Sequence, residues 1–439
     1  LGDVQINSAT NVTIDSTVAA NSLVEAAGSG TFTLGGALTT AGNDGESTPY
    51  AVSVTSNTID LNAGITAPGE AVDLNAGAGG LDLAASQAVV TTAAANSGTA
   101  SGDLTVDAAG TINLAGDLDT SGADHNAGTA GAAGSIEITV ATDANAGLTV
   151  AGALLADGGD ATAGDNDGGA AGAITLDTAG GTIELSSATL SATGGAGSGG
   201  GVAGDGASIL SQDPVALTTG SSAVSISGKA SDPNTVINFQ QAVDGGQDLT
   251  LTAGSGDIAF DAAVGGTTRL GALTLQSAGD AQFSDILTAA SFTQAAGSGT
   301  TTLTGVLDLT GAFDFTGGAL TLDGHASANT VGGAMDVTNA DWFTLVETDG
   351  EADLEVAGDF TQDGTGAVQL ESDLTLTAAG AISIDSTLWL VGTDAVTLST
   401  QGGSGDNITL GTNSSTDLIG NGQDLVLDAG AGGNISVLG

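Results

Sequence analysis

The chain has 439 residues, of which 51 are acidic and only two, Lys229 and Arg269, are lysine or arginine, so its formal charge is −49. Binding of nucleic acid needs clustered basic side chains, so this composition excludes DNA and RNA as partners. The sequence has no cysteine and no stretch of about 18 apolar residues, which excludes disulfide bonds and predicts no membrane insertion.

Short apolar segments recur in pairs and alternate with small polar residues. In chain order, the pairs are 103–106 with 111–114, 248–251 with 257–260, 373–376 with 381–384, and 424–427 with 434–437. This period of two predicts half-buried β-strands. One pair cannot bury its apolar face alone, so copies must stack. The sequence therefore predicts an all-β fold: a right-handed parallel β-helix (β-solenoid) of roughly 18–20 coils.

The composition and the loop lengths of the sequence change near residue 234. Residues 1–234 form a β-solenoid zone with long Gly/Ala/Asp-rich loops at 121–134, 157–172 and 193–207. These loops follow strand pairs at similar intervals, so we expect them to leave the same corner of successive coils. Residues 235–439 form a continuous solenoid zone with shorter loops, and its phenylalanines are expected to stack inside the coils.

One of the long loops is the best candidate for a metal site. Asp157, Asp160, Asp165 and Asp167 lie among glycines, and calcium takes several oxygen ligands from flexible turns. The sequence therefore predicts Ca²⁺ as a cofactor bound by these four aspartates. Further acids are expected along this corner or in an earlier loop: Asp119, Asp124, Asp205, Asp44 and Glu46. The alternative is that all of them are solvated turn residues, because Asp is common in turns.

Nothing in the sequence favours catalysis. A polysaccharide lyase needs cationic groups beside its base, and Lys229 and Arg269 are far apart in the sequence. His125 and His325 lie in Gly/Ala-rich loops without a serine or cysteine partner, which is typical of solvated loop residues. We therefore predict that the chain is not an enzyme.

The pattern Leu-Thr-Leu-x-Ala-x-Gly-x-Ile-x-Leu, with the later segments Ser291–Gln294 and Asp359–Gln362, resembles the filamentous haemagglutinin type of bacterial exoprotein. The resemblance covers most of the chain. It implies a right-handed parallel β-helix that is exported and used in adhesion, biofilm formation or contact-dependent delivery. The resemblance further implies that this chain corresponds to the shaft of such a protein.

These observations predict a non-catalytic structural β-solenoid, a filament subunit or adhesin shaft, located extracellularly at a bacterial cell surface. The expected partners are other copies in a head-to-tail homopolymer, or further repeats of the same protein. The sequence stops within a strand-like unit at 434–439, which favours a segment of a longer repetitive protein. A cell-surface or carbohydrate target is a further expected partner. The alternative function is a carbohydrate-binding or carbohydrate-active β-helix protein.

Overall fold

The computed structural model describes residues 1–41, 50–141, 146–225, 235–324, 328–347, 353–392, 394–411, 417–420 and 422–438. Within these ranges the chain forms β-strands, turns and extended loops, and no helix is present. The ladders between neighbouring strands are parallel. The predicted all-β parallel solenoid is confirmed.

The chain divides into two units, Leu1–Gln241 with Thr252–Gly256 and Ala242–Leu251 with Asp257–Gly439. Up to residue 241 the strands are β1 (Val4–Ile6), β2 (Val12–Ile14), β3 (Val18–Ala20), β4 (Leu23–Glu25), β5 (Thr31–Leu34), β6 (Leu38–Thr40), β7 (Tyr50–Leu61), β8 (Ile65–Thr66), β9 (Ala71–Leu83), β10 (Ala88–Val90), β11 (Leu104–Ala108), β12 (Ile112–Leu114), β13 (Asp117–Asp119), β14 (Ile136–Val140), β15 (Leu148–Val150), β16 (Ala153–Leu155), β17 (Ile174–Asp177), β18 (Ile183–Ser186), β19 (Thr189–Ser191), β20 (Ile209–Ser211), β21 (Val215–Thr219), β22 (Ser222–Ser225) and β23 (Val236–Phe239).

From residue 242 on, the strands are β24 (Val243–Asp244), β25 (Leu249–Thr252), β26 (Asp257–Phe260), β27 (Leu270–Ser277), β28 (Ala281–Phe283), β29 (Leu287–Gln294), β30 (Thr300–Leu303), β31 (Leu307–Leu309), β32 (Phe313–Gly317), β33 (Ala319–Gly324), β34 (Asn329–Val331), β35 (Met335–Asn339), β36 (Phe343–Glu347), β37 (Leu354–Val356), β38 (Phe360–Gln362), β39 (Val368–Leu370), β40 (Leu374–Leu376), β41 (Ile382–Ile384), β42 (Leu388–Leu390), β43 (Val396–Ser399), β44 (Ile408–Leu410), β45 (Leu418–Gly420), β46 (Leu425–Asp428) and β47 (Ile435–Val437).

In the first unit, each strand pairs with the equivalent strand of the next coil, which gives three rows. Row A contains β1, β4, β7, β9, β11, β14, β17, β20 and β23. Row B contains β2, β5, β7, β9, β12, β15, β18 and β21. Row C contains β3, β6, β8, β10, β13, β16, β19 and β22. The long strands β7 and β9 each serve both row A and row B.

The second unit repeats this arrangement with its own three rows. Row D contains β26, β28, β30, β33, β36, β39, β42 and β45. Row E contains β29, β31, β34, β37, β40, β43 and β46. Row F contains β27, β29, β32, β35, β38, β41, β44 and β47.

The length of a coil depends on its loops. In row A, Leu104 pairs with Ile136, and Ile136 pairs in turn with Ile174, so each of these coils includes one of the long loops. In row F, Phe292 pairs with Phe313, and the coil between them is much shorter. Row A has nine strands and row D has eight, so the described residues form slightly fewer coils than the predicted 18–20. The difference arises because the loops lengthen several coils of the first unit.

The core follows directly from the period-two pattern. In β40, Leu374 and Leu376 are buried, whereas Thr375 between them points outward and is half-buried. Burying one such apolar side chain stabilises the fold by about 1.5–3 kcal/mol. Because parallel ladders place equivalent residues above one another, inward phenylalanines of successive coils meet. The rings of Phe260 and Phe283 are stacked with centroids 4.9 Å apart. The predicted stacking of phenylalanines inside the coils is therefore confirmed for this pair.

Candidate functional site

The three glycine-rich loops of the first unit lie on one another. Residues 121–134 follow β13, residues 157–172 follow β16, and residues 193–207 follow β19, all strands of row C. The prediction that the loops leave the same corner of successive coils is confirmed. We call these three segments the loop stack.

Each loop runs outward and returns, and its hydrogen bonds repeat at every third residue. On the outward arms, the Gly122 N–H donates to the Asp157 carbonyl at 2.7 Å, and the Ala161 N–H donates to the Ala196 carbonyl at 2.8 Å. The N–H groups of His125 and Gly158, each at the third position from one of these donors, likewise bond to the next loop. Such a period is that of an extended, polyproline-II-like backbone, which makes no hydrogen bonds within its own segment. The loops thus satisfy their backbone groups through each other.

Hydrogen bonds also join the two arms of a loop and link them to the loop below. The Gly169 N–H donates to the Gly159 carbonyl at 2.8 Å, and the Gly159 N–H donates to the Gly131 carbonyl at 3.0 Å. The Gly195 N–H continues the series to the Gly169 carbonyl at 2.9 Å. These bonds cross-link the arms, so the loop stack is an ordered layer.

Glycine is required in the loop stack because backbones touch there. A Cβ added at Gly158 would lie 1.8 Å from the Gly169 carbonyl oxygen, and one added at Gly195 would lie 1.9 Å from the Gly159 oxygen. Real Cβ atoms do not approach oxygen so closely. Interpreted only as loop composition, these glycines did not predict the ordered layer. The signal that could have revealed it is the regular glycine spacing of the return arms, as in Gly131/Gly134 and Gly169/Gly172.

The four aspartates of the predicted calcium site point to different partners. An Asp157 oxygen accepts hydrogen bonds from the Thr193 N–H at 2.7 Å and from the Ser191 and Thr193 hydroxyls. The carboxylates of the other three accept the N–H groups of Ala196, Gly200 and Val202 at 2.7–2.9 Å, in the order Asp160, Asp165, Asp167. Each therefore caps the backbone of the next loop.

No group of three or more His, Asp or Glu side chains that could hold a metal ion occurs in the described ranges. Asp124 behaves like the four aspartates and accepts the Asp160 N–H at 2.9 Å, while Asp119 accepts the Ser121 N–H of its own loop. Asp44 and Glu46 lie outside the described residues. Calcium binding stays a prediction.

The same capping occurs where aspartate precedes a strand. Asp103, before β11, accepts the Ser135 N–H of the next coil at 2.8 Å. Asp248 does the same for the Ala272 N–H, and Asp359 for the Ala381 N–H. A carboxylate only accepts hydrogen bonds, and its bonds to N–H groups are charge-assisted. The acidic bias thus has a structural use that a basic side chain could not replace.

Two acids stand next to each other on the outer side of row F. Asp314 of β32 pairs in register with Asp336 of β35, and both are exposed. Partial burial raises the pKa of the Asp314 carboxyl above its ordinary value, and the charge of Asp336 raises it further. Like charges directly opposite in a sheet are destabilising.

Replacing Asp336 with asparagine should lower the pKa of Asp314 and stabilise the second unit by about 0.5 kcal/mol near neutral pH. Because the pKa of Asp314 is raised in the folded chain, the free energy of unfolding falls as pH rises through the folded-state pKa. This fall should be smaller in Asp336→Asn. Carbon-13 NMR titration of the Asp314 carboxyl checks the pKa, and urea unfolding checks the stability. Glu355→Gln, whose row E neighbours are Thr330 and Thr375, is the matched control. An unchanged Asp314 titration in Asp336→Asn would contradict the prediction.

The basic side chains and histidines form no catalytic arrangement among the described residues. The Arg269 guanidinium pairs with the Asp308 carboxylate and donates to the Ala289 carbonyl, so it bridges neighbouring strands. The His125 Nδ1 accepts the Ala127 N–H at 3.0 Å within its own loop. Lys229 and His325 lie outside the described residues. The absence of enzymatic activity stays a prediction.

No helix in the described ranges is long and apolar enough to cross a membrane. No family model, curated protein or solved structure matches the chain. The resemblance to filamentous haemagglutinin-type exoproteins therefore stays a prediction from the sequence pattern.

Proposed function

We propose that the chain is an extracellular, non-catalytic structural β-solenoid, a filament subunit or adhesin shaft, that extends when a further coil pairs with its last described coil. The observation that carries this proposal is the exposure of inward-facing apolar side chains in β45 and β47. Leu418, Ile435 and Val437 are 45%, 48% and 49% exposed. Their partners one coil earlier, Leu388, Ile408 and Leu410, are buried.

A further coil in the same register would cover these side chains. Burial of the exposed half of each would contribute about 1 kcal/mol, and the free strand edges would gain the hydrogen bonds that parallel pairing supplies. The covering coil can come from a second copy, which gives a head-to-tail homopolymer, or from adjoining repeats, which gives an adhesin shaft. In both cases the charge of −49 opposes lateral bundling.

Electron microscopy of concentrated protein in millimolar calcium tests the homopolymer. We expect filaments of one width from the unmodified chain and none from Ile435→Asp, because a carboxylate at an inward position opposes burial. Val426→Asp is the matched control: Val426 is 46% exposed in the same coil but pairs with the outward-facing Thr397. Filaments from the control but not from Ile435→Asp would support coil pairing.

Single particles at every concentration would contradict the homopolymer and leave the shaft segment. Filaments formed equally by Ile435→Asp would show that assembly does not use this coil.

A further inference from the structure

An open groove crosses four successive turns of the second unit. It lies at the C-terminal ends of the row F strands β29, β32, β35 and β38 and in the turns that begin there, and the groove volume is about 320 Å³. Its lining consists of Ala296, Gly297, Thr316, Gly317, Thr338, Asn339, Ala340, Asp363, Gly364 and Thr365. With parallel strands about 4.8 Å apart, four turns give a length of about 14 Å. We call this feature the row F groove.

A buried amide lies directly under the floor of the groove. Gln294 is 2% exposed, and its Oε1 accepts the Thr301 hydroxyl at 2.7 Å. Its Nε2 lies only 2.3 Å from the position that a Cβ on Gly297 would take, and 2.9 Å from that of a Cβ on Gly317. Among the described residues the hydrogen bond of this amide is the one at Oε1, and its Nε2 is not a fully buried atom. Because both glycines lack side chains, the Nε2 donor faces the groove, where it can donate to a bound ligand or to water.

The next buried amides along this corner are fully used. The Gln362 Nε2 donates to the Asn339 Oδ1 at 2.7 Å and to the Gly364 carbonyl at 3.1 Å. The Asn339 Nδ2 donates to the Asp341 carbonyl at 2.7 Å. Gln294 is thus the exception in a corner whose other amides are paired.

The groove walls offer hydroxyls, a carboxylate and apolar carbon. Thr316, Thr338 and Thr365 carry hydroxyls, and the Thr338 hydroxyl donates to the Asp363 carboxylate at 2.6 Å. Asp363 is exposed and retains capacity to accept further hydrogen bonds. Such a lining suits a ligand that has both donors and acceptors on an apolar frame.

An exposed aromatic residue follows the groove lining closely in the sequence. Trp342 follows the lining residue Ala340 by two positions and is 43% exposed. Its ring lies 6.1 Å from the ring of Trp389 in an edge-to-face arrangement. Trp342 is the largest exposed apolar side chain in the described part of the chain. Tryptophan combines a large apolar face with a polar N–H, which suits contact with partly hydrated ligands.

We propose that the row F groove binds a short stretch of a neutral oligosaccharide. Sugar hydroxyls donate to Asp363 and accept from the Gln294 Nε2 and the threonine hydroxyls, while C–H faces pack on Ala296, Ala340 and Trp342. The lining contains no lysine or arginine, and the chain is strongly acidic, so uronates, sulfates and phosphates are disfavoured. A volume of 320 Å³ falls at the lower end of the range of small-molecule sites, about 300–1,000 Å³.

The test is isothermal titration of the intact chain with cellohexaose, maltohexaose, laminarihexaose and mannohexaose. A polygalacturonate oligomer and a Gly-Ser peptide of similar length are titrated for comparison. Gly297→Ala fills the floor, and its new Cβ would meet mainly the flexible end of Gln294, so the coil should still fold. Trp342→Ala removes the exposed ring. Gly246→Ala, where a Cβ would meet nothing within 4 Å, is the matched control.

We expect at least one neutral hexasaccharide to bind, about tenfold weaker binding in Gly297→Ala and in Trp342→Ala, and unchanged binding in Gly246→Ala. Circular dichroism confirms that the variants are folded. The proposal is overturned if no neutral hexasaccharide binds at about 10 mM, if only the polygalacturonate or the peptide binds, or if Gly297→Ala binds as the unmodified chain does. None of these results depends on coil pairing at β45–β47, so the two proposals fail independently.

Discussion

Replacing Glu25 with leucine is expected to stabilise the first unit by about 1–3 kcal/mol. Glu25 ends β4 and is 1% exposed, and neither carboxylate oxygen has a hydrogen-bond partner among the described residues. Its row A neighbours in register are Ile6 and Val54, so it occupies an inward, apolar position. A buried charge without a partner is strongly unfavourable, and leucine has a similar volume.

The effect should depend on pH in a defined direction. Burial raises the pKa of the Glu25 carboxyl above its ordinary value of 4.5. Below 4.5 both the folded and the unfolded chain hold the proton. Between that value and the raised folded value, only the folded chain holds it, so the free energy of unfolding falls as pH rises through this window. The gain from Glu25→Leu should therefore be small in acid and reach its full size above the folded pKa.

Hydrogen exchange of the β4 and β5 amides, measured at several pH values, checks both the gain in stability of Glu25→Leu and its dependence on pH. A local probe is needed because solenoids can unfold in parts. Glu137→Leu is the matched control, since Glu137 is exposed on the outer side of β14, and we expect it to change stability by less than about 0.5 kcal/mol. Lower protection in Glu25→Leu, or a gain that does not vary with pH, would contradict the assignment.

The strands and their inward residues could be predicted because, in this composition, alternation of apolar and polar residues indicates only a half-buried β-strand. Leu374 and Leu376 flank Thr375, and no helical period competes with this pattern. Parallel stacking follows because one strand pair cannot cover its own apolar face. Glu25 could not be found this way, because a lone glutamate in a strand pattern is expected to point outward.

The candidate sites were only partly predictable. The four aspartates lie in one loop, but their hydrogen bonds to the next loop depend on which residues come to lie above them. Gln294 and Asp363 are far apart in the sequence, and only the coil register brings both of them to the row F groove. The sequence does not state that register, since it is set by the lengths of intervening loops.

Replacing Gly169 with alanine is expected to disrupt the loop stack and to cost about 3 kcal/mol or more. A Cβ at Gly169 would lie 1.9 Å from the Gly131 carbonyl oxygen. The backbone of Gly169 also packs closely against the next loop, because a Cβ on Gly204 would lie 1.8 Å from the Gly169 carbonyl oxygen. Neither neighbour is a flexible side chain, so the loops must move apart.

Separation of the loops should break specific hydrogen bonds. The Gly169 N–H donates to the Gly159 carbonyl, and the Gly195 N–H donates to the Gly169 carbonyl. Hydrogen exchange should therefore show loss of protection at Gly159, Gly169 and Gly195, while the β17 amides stay protected. This result would distinguish disruption of the loop stack from unfolding of the unit.

Gly200→Ala provides the control within the loop stack. The atoms nearest to a Cβ at Gly200 would be those of Asp165, at 3.5 Å or more, which is ordinary van der Waals contact. We expect unchanged protection in this variant, although glycine is lost from the same layer. If Gly169→Ala and Gly200→Ala behave alike, close backbone packing does not hold the loops together. If they differ as expected, glycine at position 169 serves contact between backbones and not flexibility.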